Sequence, residues 1–168
     1  MLAFLLALFL LAPLPPVVQT VKPSRLEIRS IGVDASVLEL GVKDDGTMES
    51  PQGPDPVAWY DFSPTPGNPG NTVFAGHRDW YTGATGVFWR LGELSPGDAV
   101  SVRLADGSTV EYAVKLSVLI PPDGMKIEEI VGQTPDEMIT LISCEGSFDP
   151  TSHDYDKRRV VWAARKTN

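Results

Sequence analysis

From Arg25 to Ala164 the chain is a succession of short β-type runs punctuated by turn residues, and this rhythm constrains the fold more than any other feature. The runs are Arg25 to Ile31, Ser36 to Val42, Thr72 to Gly76, Val100 to Leu104, Thr109 to Ile120, Glu137 to Ser143 and Arg159 to Ala164. Turn chemistry separates them: Asp44-Asp45-Gly46-Thr47, and Ala105-Asp106-Gly107-Ser108, whose Asp-Gly pair predicts a tight hairpin. Ser63 to Asn71 carries Pro64, Pro66, Gly67, Pro69 and Gly70, which breaks any regular element and predicts a loop. Helical periodicity is confined to about one turn near Val87 to Leu91 and to Met125 to Val131. Many short strands with turns between them predict a mostly all-β fold, an antiparallel sandwich or barrel with one or two short helices.

With 168 residues, 42% of them hydrophobic, the chain is long enough for one domain with a proper core and short for two. The formal net charge of −8 excludes a nucleic-acid partner, because phosphate binding needs clustered Lys and Arg. A single cysteine makes no intramolecular disulfide, so the fold does not depend on an oxidising compartment.

Met1 to Val18 holds no charged residue, and Leu2 to Ala12 is a continuous apolar block. As a helix, residues 2–18 would span about 25 Å, a little short of the ~30 Å hydrocarbon core. The segment lacks the basic start and small-residue cleavage site of a signal peptide, the alternative reading. The expected division is a membrane anchor at 1–18 with its upstream end missing, a proline-rich linker at 19–23, and one folded domain at 24–168.

Three chemically useful side chains stand at the ends of apolar runs. Cys144 follows Met138-Ile139-Thr140-Leu141-Ile142-Ser143 and precedes Glu145-Gly146; His77 follows Thr72-Val73-Phe74-Ala75-Gly76; Arg158-Arg159 open Val160-Val161-Trp162-Ala163-Ala164. A solitary cysteine is more often inert core than catalyst, but one accompanied by an imidazole and a guanidinium at strand ends reads as a nucleophile. Acyl transfer needs a nucleophile, a proton donor for the leaving amine, and positive or hydrogen-bonding density for the developing oxyanion. Cys144, His77 and an arginine fill these roles in turn. Adjacent strand residues face opposite ways, so only one of Arg158 and Arg159 points at the thiol.

With this constellation the chain resembles the sortases, cysteine transpeptidases of the bacterial cell surface. The resemblance runs from about Pro23 to Arg165, through Arg25 to Ala35, the Ala75-Gly76-His77-Arg78 box, Leu94-Ser95-Pro96-Gly97-Asp98 and the cysteine box. Where sortases carry T-L-x-T-C, this chain reads Thr140-Leu141-Ile142-Ser143-Cys144, which keeps a hydroxyl before the thiol. Gly86-Val87-Phe88-Trp89-Arg90-Leu91 and Cys144-Glu145-Gly146-Ser147-Phe148-Asp149 look most like the class F group. The resemblance implies a closed eight-stranded barrel and cleavage of an L-P-x-T-G-like sorting signal through a thioacyl-enzyme on Cys144, with transfer to a cell-wall amine. It also implies a monomer held at the membrane with its domain outside the cell. The family pattern R-x-V-V-x-A fits Arg158-Arg159-Val160-Val161-Trp162-Ala163 with Arg158 first, and a shift by one selects Arg159.

Other residues have plainer readings. His153 lies in a polar stretch and is expected to be solvated, Asp79 to be a surface carboxylate, and Phe88, Trp80 and Trp89 to be packing residues. Asp123, Glu128, Glu129, Asp136 and Glu137 match no calcium-loop spacing, so neither metal nor other cofactor is expected. Two other functions compete: an L,D-transpeptidase or hydrolytic cysteine peptidase of the envelope, and a catalytically silent extracytoplasmic binding domain. The L,D-transpeptidase family places histidine and glycine before its cysteine, where this chain has Ile142-Ser143.

Overall fold

Alternation of apolar and charged residues in Arg25-Leu26-Glu27-Ile28 buries Leu26 and Ile28 completely and leaves the two charged neighbours at the surface. The same period of two sends Val100, Val102 and Leu104 inward from one strand and Val110, Tyr112 and Val114 from the next. The computed structural model describes residues 21–121 and 124–167. Its strands are β1 (Pro23–Ile28), β2 (Val33–Leu40), β3 (Val57–Tyr60), β4 (Gly70–Ala75), β5 (Ala99–Leu104), β6 (Thr109–Ile120), β7 (Glu137–Asp149) and β8 (Asp154–Arg165), with one short helix, α1 (Ile127–Val131). They close into a barrel in the order β1-β2-β3-β4-β7-β8-β6-β5, the closed eight-stranded form that the resemblance implies. Leu26, Ile28, Phe74, Tyr112, Ile139 and Leu141 fill its interior, each aliphatic or aromatic side chain contributing about 1.5–3 kcal/mol by burial.

The Asp-Gly hairpin forms as its sequence predicts: Gly107 donates to the Leu104 carbonyl, and the Asp106 carboxylate receives the Ser108 amide and hydroxyl. The sheet is not purely antiparallel, however. β2 runs parallel to β3, and β4 parallel to β7. The second pairing is reached by a long crossover through β5, β6 and α1, as parallel neighbours require.

Three further elements differ from expectation. β3 has four residues, all buried, so Val57-Ala58-Trp59-Tyr60 shows no alternation to read. The turn chemistry at 87–93 settles as successive i→i−3 hydrogen bonds ending in a 3₁₀ turn at Leu91–Glu93. β7 and β8 extend well past their apolar stretches, to Asp149 and back from Asp154, as a polar hairpin arm with a register shift between Glu145 and Phe148. Gly146 makes that bulge possible: it has φ of +97°, and a Cβ there would lie 2.0 Å from an Asp156 carboxylate oxygen.

β1 begins at Pro23 and the Lys22 carbonyl already accepts the Ala105 amide, so the last linker residues belong to the barrel. The expected anchor at 1–18 and the linker up to residue 20 lie outside the described residues. Among the described residues no helix is long and apolar enough to cross a membrane. α1 is fastened by side chains from three strands. Asn71 donates to the Ile130 and Gly132 carbonyls at 3.2 Å, Trp162 donates to the Ile130 carbonyl at 3.4 Å, and the Thr140 hydroxyl donates to Asn71 at 2.7 Å. These donors satisfy carbonyls that the end of a helix otherwise leaves open.

Candidate active site

β7 lies between β4 and β8, and its two pairings assemble the site. The parallel register with β4 ends at Ala75↔Ile142, and the Gly76 amide then donates to the Ile142 carbonyl at 3.1 Å. His77 and Cys144, each two residues further on, therefore stand at the same end of the β4–β7 pairing, His77 just beyond β4 and Cys144 still within β7. The antiparallel register with β8 sets Arg158 directly opposite Cys144 and Arg159 opposite Ser143. Cross-strand partners share a face, so the thiol and the Arg158 guanidinium lie on one side and Arg159 on the other. His77, Cys144 and Arg158 line one cleft of about 320 Å³, together with Pro51, Tyr60 and Asp154.

His77 is held from two directions. Its Nε2 lies 2.9 Å from the Pro51 carbonyl, and since a carbonyl only accepts, Nε2 carries a proton there and Nδ1 is the nitrogen left to exchange one. Its ring meets Trp80 edge-on, with centroids 4.9 Å apart. Behind it the segment 86–88 lies against the backbone of 76–78, where Gly86 donates to the Arg78 carbonyl at 2.7 Å and Phe88 to the His77 carbonyl at 2.9 Å. Glycine is required for this approach. A Cβ on Gly86 would fall 2.3 Å from the His77 carbonyl oxygen, and one on Gly76 would fall 2.6 Å from Val87.

Cys144 is partly buried, and that burial pushes its thiol above the ordinary range. Arg158 is the strongest opposing influence, while Asp154 and Asp79 add to the rise. The guanidinium is tightly oriented: Nη2 donates to both Asp154 oxygens at 2.8 and 2.7 Å, and Nη1 donates to the Tyr155 and Lys157 carbonyls at 2.9 and 3.0 Å. These bonds fix the plane of the fork. Nε–H donates to no atom of the described residues. The Ser143 hydroxyl is buried without a hydrogen-bond partner among the described residues.

The remaining residues separate clearly. Arg159 makes two 2.8 Å bonds to Glu145, with both side chains mostly covered, and the guanidinium holds the carboxyl below its usual range. The Asp79 carboxylate accepts the Tyr155 hydroxyl and makes no hydrogen bond to the His77 ring. His153 is exposed at the tip of the hairpin arm with φ of +55°. Phe88 is core; Trp89 is half exposed and carries the Arg78 guanidinium 4.6 Å above its ring. Glu137 accepts the Tyr112 hydroxyl and the Gly67 amide, a bracing role for the loop before β4. Asp123 lies outside the described residues, and among those described no cluster of His, Cys, Asp or Glu has the makings of a metal site.

Two site components escape the sequence reading. The Pro51 carbonyl is backbone and leaves no residue-type signal. Asp154 does leave one: it stands in the period of two with Arg158 along β8, the residue paired with Cys144.

A sortase-domain family model matches residues 26–166. No curated protein sequence matches. Among solved structures, the chain is similar to the sortase D5 transpeptidase of Clostridium perfringens, with 20% identity, a TM-score of 0.63, and 87% of this chain and 79% of that one covered. It is similar to sortase C-1 of Actinomyces oris, with 25% identity, a TM-score of 0.67, and 86% and 73% covered. A lid mutant of sortase A from Corynebacterium diphtheriae gives 19% identity, a TM-score of 0.66, and 87% and 70% covered.

Proposed function

Because the chain belongs to the sortase family, whose members are cysteine transpeptidases, we propose that it cleaves an L-P-x-T-G-like sorting signal and passes the acyl group to a cell-wall amine. The observation that carries this reading is the register: Cys144 opposite Arg158, with His77 leaving the neighbouring parallel strand at the same rim of one cleft.

The raised thiol makes base assistance necessary, since little thiolate exists at neutral pH. His77 takes the Sγ proton at Nδ1 as sulfur attacks the scissile carbonyl. The oxyanion then meets Arg158, whose Nε–H remains for it while Asp154 and the Tyr155 carbonyl fix the plane of the fork. Collapse expels the peptide amine, which carries away the proton His77 had taken. The thioester remains on Cys144, and His77, neutral again, serves as base for the incoming amine.

The uncharged run from Leu2 to Ala12 supports a membrane anchor, placing the barrel outside the cell where exported substrates emerge. Class F assignment rests on the Gly86 to Leu91 and Cys144 to Asp149 segments. The test is incubation of the full chain with a library of L-P-x-T-G variants and several amines. The expected result is a new amide joining the residues up to Thr of the signal to the amine, formed by the wild type and not by Cys144→Ala. Intact signal peptide in every reaction would refute the proposal.

A further inference from the structure

After His77 the chain folds into a small closed loop. Gly86 donates to the Arg78 carbonyl at 2.7 Å, Trp80 to the Ala84 carbonyl at 2.9 Å, and Gly83, with φ of +86°, to the Trp80 carbonyl at 2.8 Å. These bonds make 78–86 one hydrogen-bonded unit with His77 at its base, so a displacement of Arg78 or Asp79 reaches the imidazole. Across from the loop stands the hairpin arm, exposed from Gly146 to Asp154 and without a core of its own. No backbone hydrogen bond joins loop and arm among the described residues. Tyr155 joins them through its side chain. Its hydroxyl donates to the Asp79 carboxylate, and its ring lies 5.9 Å from the Arg78 guanidinium, which also lies 4.6 Å from the Trp89 ring. Burial and the Asp79 carboxylate push the Tyr155 hydroxyl above its ordinary range, so it stays a donor at neutral pH. The carbonyl of the same residue accepts Arg158 Nη1 at 2.9 Å. Tyr155 thus holds the histidine loop with its side chain and the oxyanion arginine with its backbone.

We propose that Tyr155 is a positioning residue that fixes the His77 imidazole relative to Cys144 and Arg158, a reading that rests on the transpeptidase function proposed above. Sheet register alone sets the thiol against the guanidinium, because Cys144 and Arg158 are paired across β7 and β8. It does not reach His77, which stands past the last β4–β7 pair at Ala75↔Ile142. Three contacts locate the histidine loop instead: the Pro51 carbonyl on Nε2, the backbone of 86–88, and the bond from Tyr155 to Asp79. Of these three only the last comes from β8, the strand that carries Arg158. Tyr155 is not among the residues lining the thiol cleft, so it acts through the loop and not on the peptide. Transfer of the Sγ proton to Nδ1 is steep in distance, and a loop that drifts from the arm loses rate while the peptide still binds.

The experiment follows acyl-enzyme formation alone, with the full chain, an L-P-x-T-G peptide and no amine, quenched by acid and read as added mass on Cys144. Tyr155→Phe keeps the ring and the carbonyl and removes only the hydroxyl. The expected result is a maximal acylation rate lowered about tenfold, with the half-saturating peptide concentration within about twofold of wild type. Asp79→Ala is expected to match it, and Asp79→Asn, which keeps an acceptor for the hydroxyl, to recover most of the rate. The double variant Tyr155→Phe/Asp79→Ala should be no slower than either single variant, since all three break the same bond. Thermal melts establish that each variant is folded at the assay temperature. An acylation rate within about twofold of wild type in both Tyr155→Phe and Asp79→Ala would overturn the proposal and leave Tyr155 a stabiliser of the arm. So would losses that multiply in the double variant, or a rise in half-saturating concentration that accounts for the whole effect. A wild type that forms no thioester would overturn the transpeptidase reading beneath the proposal, which none of the other outcomes does.

Discussion

Cys144 and Arg158 are directly paired across β7 and β8, while Arg159 pairs with Ser143 and is bound to Glu145. The two adjacent arginines therefore have separable effects. Arg158→Ala is expected to lower kcat by about 10²–10³, or ~3–4 kcal/mol, with little change in KM, since the charge it meets develops mainly in the transition state. Arg158→Lys restores only part of this, because an ammonium lacks the fork that Asp154 and the two carbonyls orient. Steady-state kinetics of the single variants check it.

Arg159→Ala is expected to act on stability, costing about 1–3 kcal/mol with turnover nearly kept. The carboxyl of Glu145 is lowered in the folded state, so the pair stabilises fully above the ordinary carboxylate range and loses its contribution as pH falls through that lowered value. Denaturant melts of wild type and variant should converge as the pH is lowered through that window.

Thiol reactivity should follow the burial of Cys144. The rate of alkylation by iodoacetamide is expected to rise with pH through a midpoint above that of a free cysteine, because burial disfavours the thiolate. Arg158→Ala removes the strongest influence favouring the thiolate and moves the midpoint higher still. A midpoint at or below the ordinary thiol range would contradict the view that burial governs the Cys144 thiol.

The chemistry was far more legible in the sequence than the architecture around it. His77, Cys144 and the Arg158-Arg159 pair stand out because each terminates or opens an apolar run, whereas the choice between the two arginines needed the β7–β8 register; the barrel walls β1, β5 and β6 carry plain alternation. The hairpin arm was hidden because Glu145 to Tyr155 projects beyond the core and needs no apolar face, so Cys144 looked like a strand end when it lies within β7. β3 was hidden for the opposite reason, being buried on both faces. Parallel pairing of β4 with β7 has no local signature, and the Pro51 carbonyl that fixes the His77 tautomer has none at all.

Gly86→Ala tests how the histidine is supported. Its Cβ would meet the His77 carbonyl at 2.3 Å, against backbone that has no flexible end to give way. The expected outcome is a cost of about 1–3 kcal/mol from overpacking and a disproportionate fall in kcat as the imidazole shifts from the thiol. Thermal melts beside kinetics separate the two effects.

Asn71→Ala tests the fastening of α1. Asn71 is 2% exposed, and its loss removes the donor to the Gly132 carbonyl and one of the two acceptors of the Thr140 hydroxyl, which keeps the Ile130 carbonyl. About 1–3 kcal/mol of destabilisation is expected. Faster hydrogen exchange across 127–132, ahead of the barrel strands, is the accompanying sign.

The most direct measurement is the mass of the protein itself, trapped by acid shortly after the full chain is mixed with an L-P-x-T-G peptide and no amine. The account predicts an increment equal to the peptide up to its Thr, borne by the proteolytic fragment that contains Cys144, labile to hydroxylamine, absent from Cys144→Ala and strongly reduced in Arg158→Ala. Cleavage of the peptide with no adduct on Cys144, or equal cleavage by Cys144→Ala, would contradict it.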